Sequence, residues 1–340
     1  MSIANTITKN LTVRPVPIDW NPRLPIYASE MFLKSLGDAY GWIGGVDGEG
    51  KLLCALPYTV IRKPGFRMIR FRTEPVALAA ELDASKEKEF LEKVVDYFRS
   101  SGADMIIPSG NTALFKAFPD GSVAAPYGTF IKNLNQSEDA LLAEMRTTHR
   151  QNIRKAVNMG VQIKHGLEYL DRSFYLVEET MKRSGSNFRT FDDFKKRVLS
   201  LGEYVKIFVA EHQGAIQGCM VAPFSEHTAY NCYAGSKSGP VRGAMHLLHW
   251  EAIRQFRAMG VKRFDFQGVR INPEKGSKQE GIMSYKQGFG GELVQGYIWK
   301  YRFRTLKWMA YSAGVRLFMG GDTVDKEHHK LNLAQPVQPV

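Results

Sequence analysis

Apolar positions along this chain alternate between period two and period three to four, and the order of the two patterns recurs. Ile26 to Leu36 carries helical spacing. WIGGV, the turn signal DGEG (Asp47 to Gly50) and KLLCALPYTVI then read as a β-hairpin. FRMIRFR (Phe66 to Arg72) alternates apolar and basic residues, as a strand exposed on one face does. Lys86 to Arg99 is helical, with Phe90, Leu91, Val94, Val95 and Phe98 on one face and Gly102 just past its end. DMIIPS (Asp104 to Ser109) is a short buried strand.

The second half follows the same order. Leu167 to Arg183 is helix-patterned through Phe174, Leu176, Val177 and Met181. YVKIFVAE, the turn HQG and AIQGCMVAPF form another hairpin, and TAYNCYA a third strand. A helix follows, with Met245, Leu248, Ala252, Phe256 and Met259 three or four apart and Gly260 as its C-cap. RFDF is the buried strand after it, and GIMSYKQGFGGE reads as a loop. This order predicts two α/β domains of like architecture, residues 1–135 and 136–319, although no residue-level repeat links them. The boundary falls near Asn135, which with Glu138 resembles a capping box. YIWKYRFRTLKWMAY reads as a final strand with aromatics inside and cations outside; a membrane interface or stacked nucleobases would suit it too. The tail, 320–340, reads as disordered.

Composition narrows the class. The apolar share (44%) and charged share (24%) are those of a globular chain. Cys54, Cys219 and Cys232 are widely spaced and strand-borne, as buried free thiols in a reducing compartment would be. The N-terminus lacks a signal-peptide pattern, and the most apolar late stretch, Trp308 to Met319, is interrupted by Arg316. Both point to the cytoplasm. A net charge of +12 favours anionic partners, with simple solubility as the bland alternative. Arg146, Arg150 and Arg154 lie four apart on a predicted helix beside His149 and Lys155, forming either a solvated face or a phosphate-binding surface.

Several chemistries are missing. There is no Walker loop, no Rossmann G-x-G-x-x-G after a strand, no G-x-S-x-G elbow and no H-E-x-x-H helix. His246 and His249 are i,i+3 on a helix but have no third ligand nearby, so no metal is expected. The helix after YNCYAG opens with KSGPVRGAMHLL, which does not satisfy the R/Q-x-x-G-x-G/A spacing of an acetyl-CoA pyrophosphate loop.

HRQNIRKAVNMGV (His149 to Val161), NCYAGS, LLHWEAI, RFDFQG and SYKQGFGG resemble, in order and spacing, the motifs of the FemABX family. The likeness runs from about Leu134 to Val294, and is weaker upstream. Three departures stand out: His149 where the family helix begins with Arg, SYK with Tyr285 in place of F-K, and no long helical-hairpin insertion. The resemblance implies tandem domains of the GCN5-related N-acetyltransferase (GNAT) type, α/β (α+β), each a mostly antiparallel meander with flanking helices. It implies transfer of an aminoacyl group from aminoacyl-tRNA, as co-substrate, to an amine of a peptidoglycan precursor, with acetyl-CoA the lesser alternative. An anionic lipid-linked precursor and peripheral membrane contact would follow. The runner-up enzyme acylates an amino sugar or other amine of a surface polysaccharide; the non-enzymatic alternative is a basic RNA- or membrane-associated protein.

Such a reaction builds charge on a carbonyl oxygen and must move an amine proton. Lys286, at the family-matched lysine, is the candidate for stabilising the oxyanion or the leaving ribose's phosphate. Asp265, between Phe264 and Phe266, is either structural or the proton acceptor. Tyr233 positions the acceptor or ester, or belongs to the core. Arg150 and Arg154 are the candidate phosphate contacts. Asn231 and Gly235 lie at the NCYAGS joint, with Tyr285 beside the lysine and Arg189 in the GSNFRTFDDF loop, as the remaining binding candidates.

Overall fold

Residues 11–79 and 81–331 are described in a computed structural model of the chain. They fold as two units. The first takes Tyr27–Gly128, together with the segments up to Asn21 and from Gln295; the second takes Thr129–Val294 and Pro22–Ile26.

The first unit begins with β1 (Thr12–Val16), α1 (Glu30–Lys34), β2 (Ala39–Val46), β3 (Leu52–Lys63), β4 (Phe66–Phe71) and β5 (Val76–Ala77). It continues with α2 (Ala84–Ser100), β6 (Met105–Ile106) and the start of β7 (Val123–Asn133). β1 to β4 form an antiparallel meander. β4 also pairs in parallel with β6, Met68 opposite Met105 and Ile69 opposite Ile106. Asp83 caps α2 by accepting from Lys86 N, and Gly102 ends the helix in the left-handed region at φ 79°. The predicted face of α2 is buried, packed on Ile43, Leu56, Ile69 and Phe71. Each of its large side chains gains roughly 1.5–3 kcal/mol over exposure.

In the second unit β7 is followed by α3 (Glu138–Ala143), α4 (Thr147–Asn158), β8 (Gln162–His165), α5 (Leu170–Lys182) and α6 (Phe191–Leu199). Then come β9 (Val205–His212), β10 (Ala215–Pro223), β11 (Ala229–Tyr230), β12 (Tyr233–Ser236) and α7 (Ala244–Ala258). β13 (Arg263–Asp265), β14 (Val269–Arg270), α8 (Lys278–Gln287) and the start of β15 (Glu292–Arg302) complete it. β12, β10, β9 and β8 form a four-stranded antiparallel sheet. Separately, β11 lies parallel to β13, and β13 antiparallel to the end of β7. The chain returns to the first unit within β15 and adds α9 (Thr305–Met319) and α10 (Thr323–Glu327).

Several expectations change. The units divide at Gly128 and Thr129 inside a strand, not near Asn135, because VAAPYGTFIKN forms one long strand. Ser137, not Asn135, caps α3, its hydroxyl accepting from Ala140 N. The segment read as a loop is the helix α8, capped by Ser277. The aromatic–cationic stretch is a strand only to Arg302 and a helix from Thr305. Its alternation also fails at Lys300, which is buried at 2% exposure. A buried ammonium needs counter-charge. Asp322 and Asp325 supply it at 2.8 and 2.7 Å from Nζ. That pairing fastens residues 320–331, read as disordered tail, into the first unit; 332–340 lie outside the described residues.

Candidate active site

TAYNCYA was expected to be one strand. It is two, and the break opens the candidate site. Ala229 and Tyr230 pair with Phe264 and Asp265 of β13, whereas Tyr233 to Ser236 pair with β10. The last rung toward β13 is Asn231 N donating to the Asp265 carbonyl at 2.9 Å. Beyond it β12 follows one sheet and β13 the other. The corresponding joint of the first unit is closed, since Met68 and Ile69 of β4 pair with β3 and β6 at once.

Past Asp265 the chain turns at Gln267, whose φ of 54° is uncommon for a residue with a side chain. The turn points two successive carbonyls, of Gln267 and Gly268, at one ammonium, that of Lys286 in the last turn of α8. The Gly268 oxygen is 2.9 Å from Nζ. Burial pushes the Lys286 ammonium down to about 8, with Asp265 opposing the shift. Asp265 is itself pushed up by burial, against a hydrogen bond donated by the Thr129 hydroxyl and one donated by Gln267 N at 2.6 Å. Lys286 and Asp265 thus form one electrostatic unit at the split. Two of the three Nζ–H donors are spent on carbonyls, leaving a third for an incoming oxygen.

A histidine cluster backs this unit. His249 is 2% exposed, with Nδ1 2.8 Å from the Met245 carbonyl, which can only accept; the ring proton therefore sits on Nδ1. Nε2 is then the acceptor for Asn231 Nδ2 at 3.1 Å. That leaves Asn231 Oδ1 buried with no partner. Tyr285 Oη lies 3.2 Å from the same Nδ1, and the Tyr285 carbonyl accepts from His149 Nε2 at 3.0 Å. His246 stacks edge-on to His149 at 4.6 Å and to Tyr285 at 5.0 Å. Burial lowers His246 and His249 to about 4 and moves His149 in the same direction, so the cluster is neutral at pH 7. Among the described residues no group of three His, Cys, Asp or Glu is placed to hold a metal.

The glycines after Lys286 have a steric reason. A Cβ at Gly288 would enter the His149 ring, and one at Gly290 would sit 2.6 Å from the Glu144 carbonyl. They let α8 lie directly on the start of α4, where Arg146 N donates to the Gly288 carbonyl at 2.9 Å. Gly243, left-handed at φ 85° ahead of α7, would likewise drive a Cβ into the Asn152 carbonyl. The N-terminus of α7 therefore abuts α4.

The other predicted residues are dispersed. Arg150 donates to the carbonyls of Ala143 and Met145 at 2.9 and 3.0 Å, so its guanidinium closes the end of α3. Arg154 is exposed. Gly235 is a packing position, its missing Cβ only 2.6 Å from the Leu176 carbonyl of α5. Tyr233, the first residue of β12, joins Phe188 and Phe194 at 5.6 and 5.4 Å, and burial pushes its phenol above the usual range. The Arg189 guanidinium lies over that ring at 5.4 Å and pairs with Asp193 at 2.8 Å. Thr129, Gln267, His249 and His149 escaped the sequence reading as site residues. Gln267, His149 and His249 stood inside quoted motifs, but Thr129 lay in a strand the pattern did not reveal.

The sequence model of the FemAB family matches residues 113–215, which begin in the first unit and end at the β9–β10 turn. No curated protein matches the chain. Among solved structures, a crystal structure of FemX superposes with a TM-score of 0.62 at 13% identity, covering 83% of this chain and 93% of that one. The structure of L-PGS from Bacillus licheniformis gives a TM-score of 0.49 at 14% identity, over 82% and 89% of the two chains. A tandem GNAT protein from the clavulanic acid biosynthesis pathway gives 0.47 at 12%, over 86% and 99%. The FemAB family model thus matches a segment of this chain, and the likeness to FemX shows a shared fold.

Proposed function

We propose that the chain is an aminoacyltransferase moving an aminoacyl group from aminoacyl-tRNA to an amine of a lipid-linked, anionic peptidoglycan precursor. In this reading the second unit handles the donor and the first positions the acceptor, at the face of a membrane. The observation that carries it is the opening between β12 and β13, with Lys286, Asp265 and Asn231 at its base. An acceptor amine attacks the ester carbonyl held there. The third Nζ–H of Lys286 meets the developing oxyanion. The C–N bond forms, the ester C–O bond breaks, and the amine proton passes to Asp265, or to a hydroxyl it orients, and ends on the leaving ribose oxygen. Asn231 Oδ1 is an acceptor suited to the donor's ammonium, because a ligand N–H would end its isolation. Arg154 and Lys155, both exposed, offer charge for phosphates, while Tyr233 and Arg189 supply an aromatic wall rather than a proton.

The abutment of α4 on the start of α7 favours this donor over a coenzyme A thioester, whose pyrophosphate would need that helix end accessible. Transfer of label to a precursor-peptide amine should proceed from charged tRNA and be abolished by ribonuclease, with no transfer from acyl-CoA. Ribonuclease-insensitive transfer from a thioester would replace this reading with acylation of an amino sugar or other amine.

A further inference from the structure

α9 breaks the usual rule for a surface helix. Its fifteen residues, TLKWMAYSAGVRLFM, are apolar nearly all round, yet none of them is buried. Trp308 and Tyr311 turn inward against Met68, Met105 and Ile107. On the opposite side Leu306, Met309, Ala310, Ala313 and Leu317 recur at helical spacing and form a stripe, with Phe318 beside its far end. Leu306, Leu317 and Phe318 are 83%, 79% and 80% exposed. A contiguous apolar face of this kind marks an interaction site.

The surrounding charge selects the partner. From Gln295 to Gly321 the chain carries Lys300, Arg302, Arg304, Lys307 and Arg316 and no acid. Lys300 and Lys307 are paired, to Asp322 and Asp325 and to Asp104. Arg302, Arg304 and Arg316 are exposed, at the entry to the helix and on the flank of the stripe. A second copy seated isologously would bring these cations against themselves. A nucleic acid would use the charge but leave the apolar stripe in water. An anionic lipid surface uses both, and a helix of this length, about 22 Å, is too short to span the ~30 Å hydrocarbon layer but suits its interface.

We propose that α9 is a membrane-seating helix, lying in the interface of an anionic bilayer with Leu306, Met309, Leu317 and Phe318 inserted and Arg302, Arg304 and Arg316 at the headgroups. It specifies which element meets the membrane in the reading above and rests on that reading for its purpose, though not for its geometry. The test is sedimentation of the full chain with vesicles of phosphatidylglycerol and phosphatidylcholine, without donor or acceptor, beside Leu306→Glu/Leu317→Glu. Both substituted side chains are in solvent, and an unchanged melting curve confirms the fold. The chain should bind the anionic vesicles, at least tenfold more weakly in high salt, and the variant at least tenfold more weakly than wild type. No binding, binding indifferent to the two substitutions, or a doubled mass in lipid-free solution that the variant abolishes would each overturn the proposal. Transfer to a soluble precursor analogue is assayed separately, so failure on vesicles leaves the site's chemistry standing, and the reverse.

Discussion

At the scale of single residues, the second unit keeps its ionisable groups in uncharged or paired states beside the split. His246 illustrates the cost. Its folded value is about 4 against 6.5 unperturbed, through burial against His149 and His249. A depressed folded pKa means that the unfolded chain takes up the proton first. The neutral ring's contribution is therefore fully present above pH 6.5 and lost as pH falls toward 4, up to about 3 kcal/mol. His246→Gln should flatten the decline of urea stability between pH 7 and pH 4.5; parallel declines in variant and wild type would show that the imidazole is not the titrating group. Lys286, Asp265 and Asn231, singled out from sequence by their motif company, lie together in the structure, and their role is the proposal. Gly235 was read as a binding candidate, and the structure spends it on close packing against α5. Arg150 shows the limit of charge patterning, which cannot see the carbonyls of a preceding helix end.

At the scale of elements, the hairpins and amphipathic helices announced themselves because one face of each is buried. The elements that position the chemistry did not. β7 is buried along almost its whole length, so it lacks alternation. α8 has no fully buried residue and carries Gly281 in its interior, so it lacks a helical stripe. The break at Asn231 and Cys232 leaves both strand halves with β-like composition, and only pairing distinguishes them. Gly281 inside α8 and Gly288 at its C-cap make separate predictions. Gly281 has open space around a would-be Cβ, so Gly281→Ala should stabilise the protein by about 0.5–1 kcal/mol. Gly288→Ala should destabilise it by more than about 2 kcal/mol, since the His149 ring is pinned by the Tyr285 carbonyl and cannot yield freely. Denaturant midpoints of the pair check this; equal effects would mean that α8 is not seated on α4 as described.

At the scale of the whole molecule, like order of elements hides unlike joints. The duplication of a meander followed by a helix and a buried strand was readable from pattern, and both units have it. Only the second opens the joint, because β11 and β12 part company there while β4 of the first unit keeps both neighbours. That asymmetry, invisible in the pattern, is why the proposal puts acyl transfer in the second unit, with Lys286 at its centre. The pH dependence of turnover from charged tRNA, for wild type, Lys286→Arg and Lys286→Ala, tests it most directly. An ammonium lowered to about 8 stabilises the oxyanion below that pH and not above it, so the wild-type rate should fall above pH 8. Arg, charged throughout, should remove that alkaline limb. Ala should cost at least about tenfold, on the order of 1.4 kcal/mol, without loss of fold. A rate unchanged in Lys286→Ala, or an alkaline limb that persists in Lys286→Arg, would contradict the account.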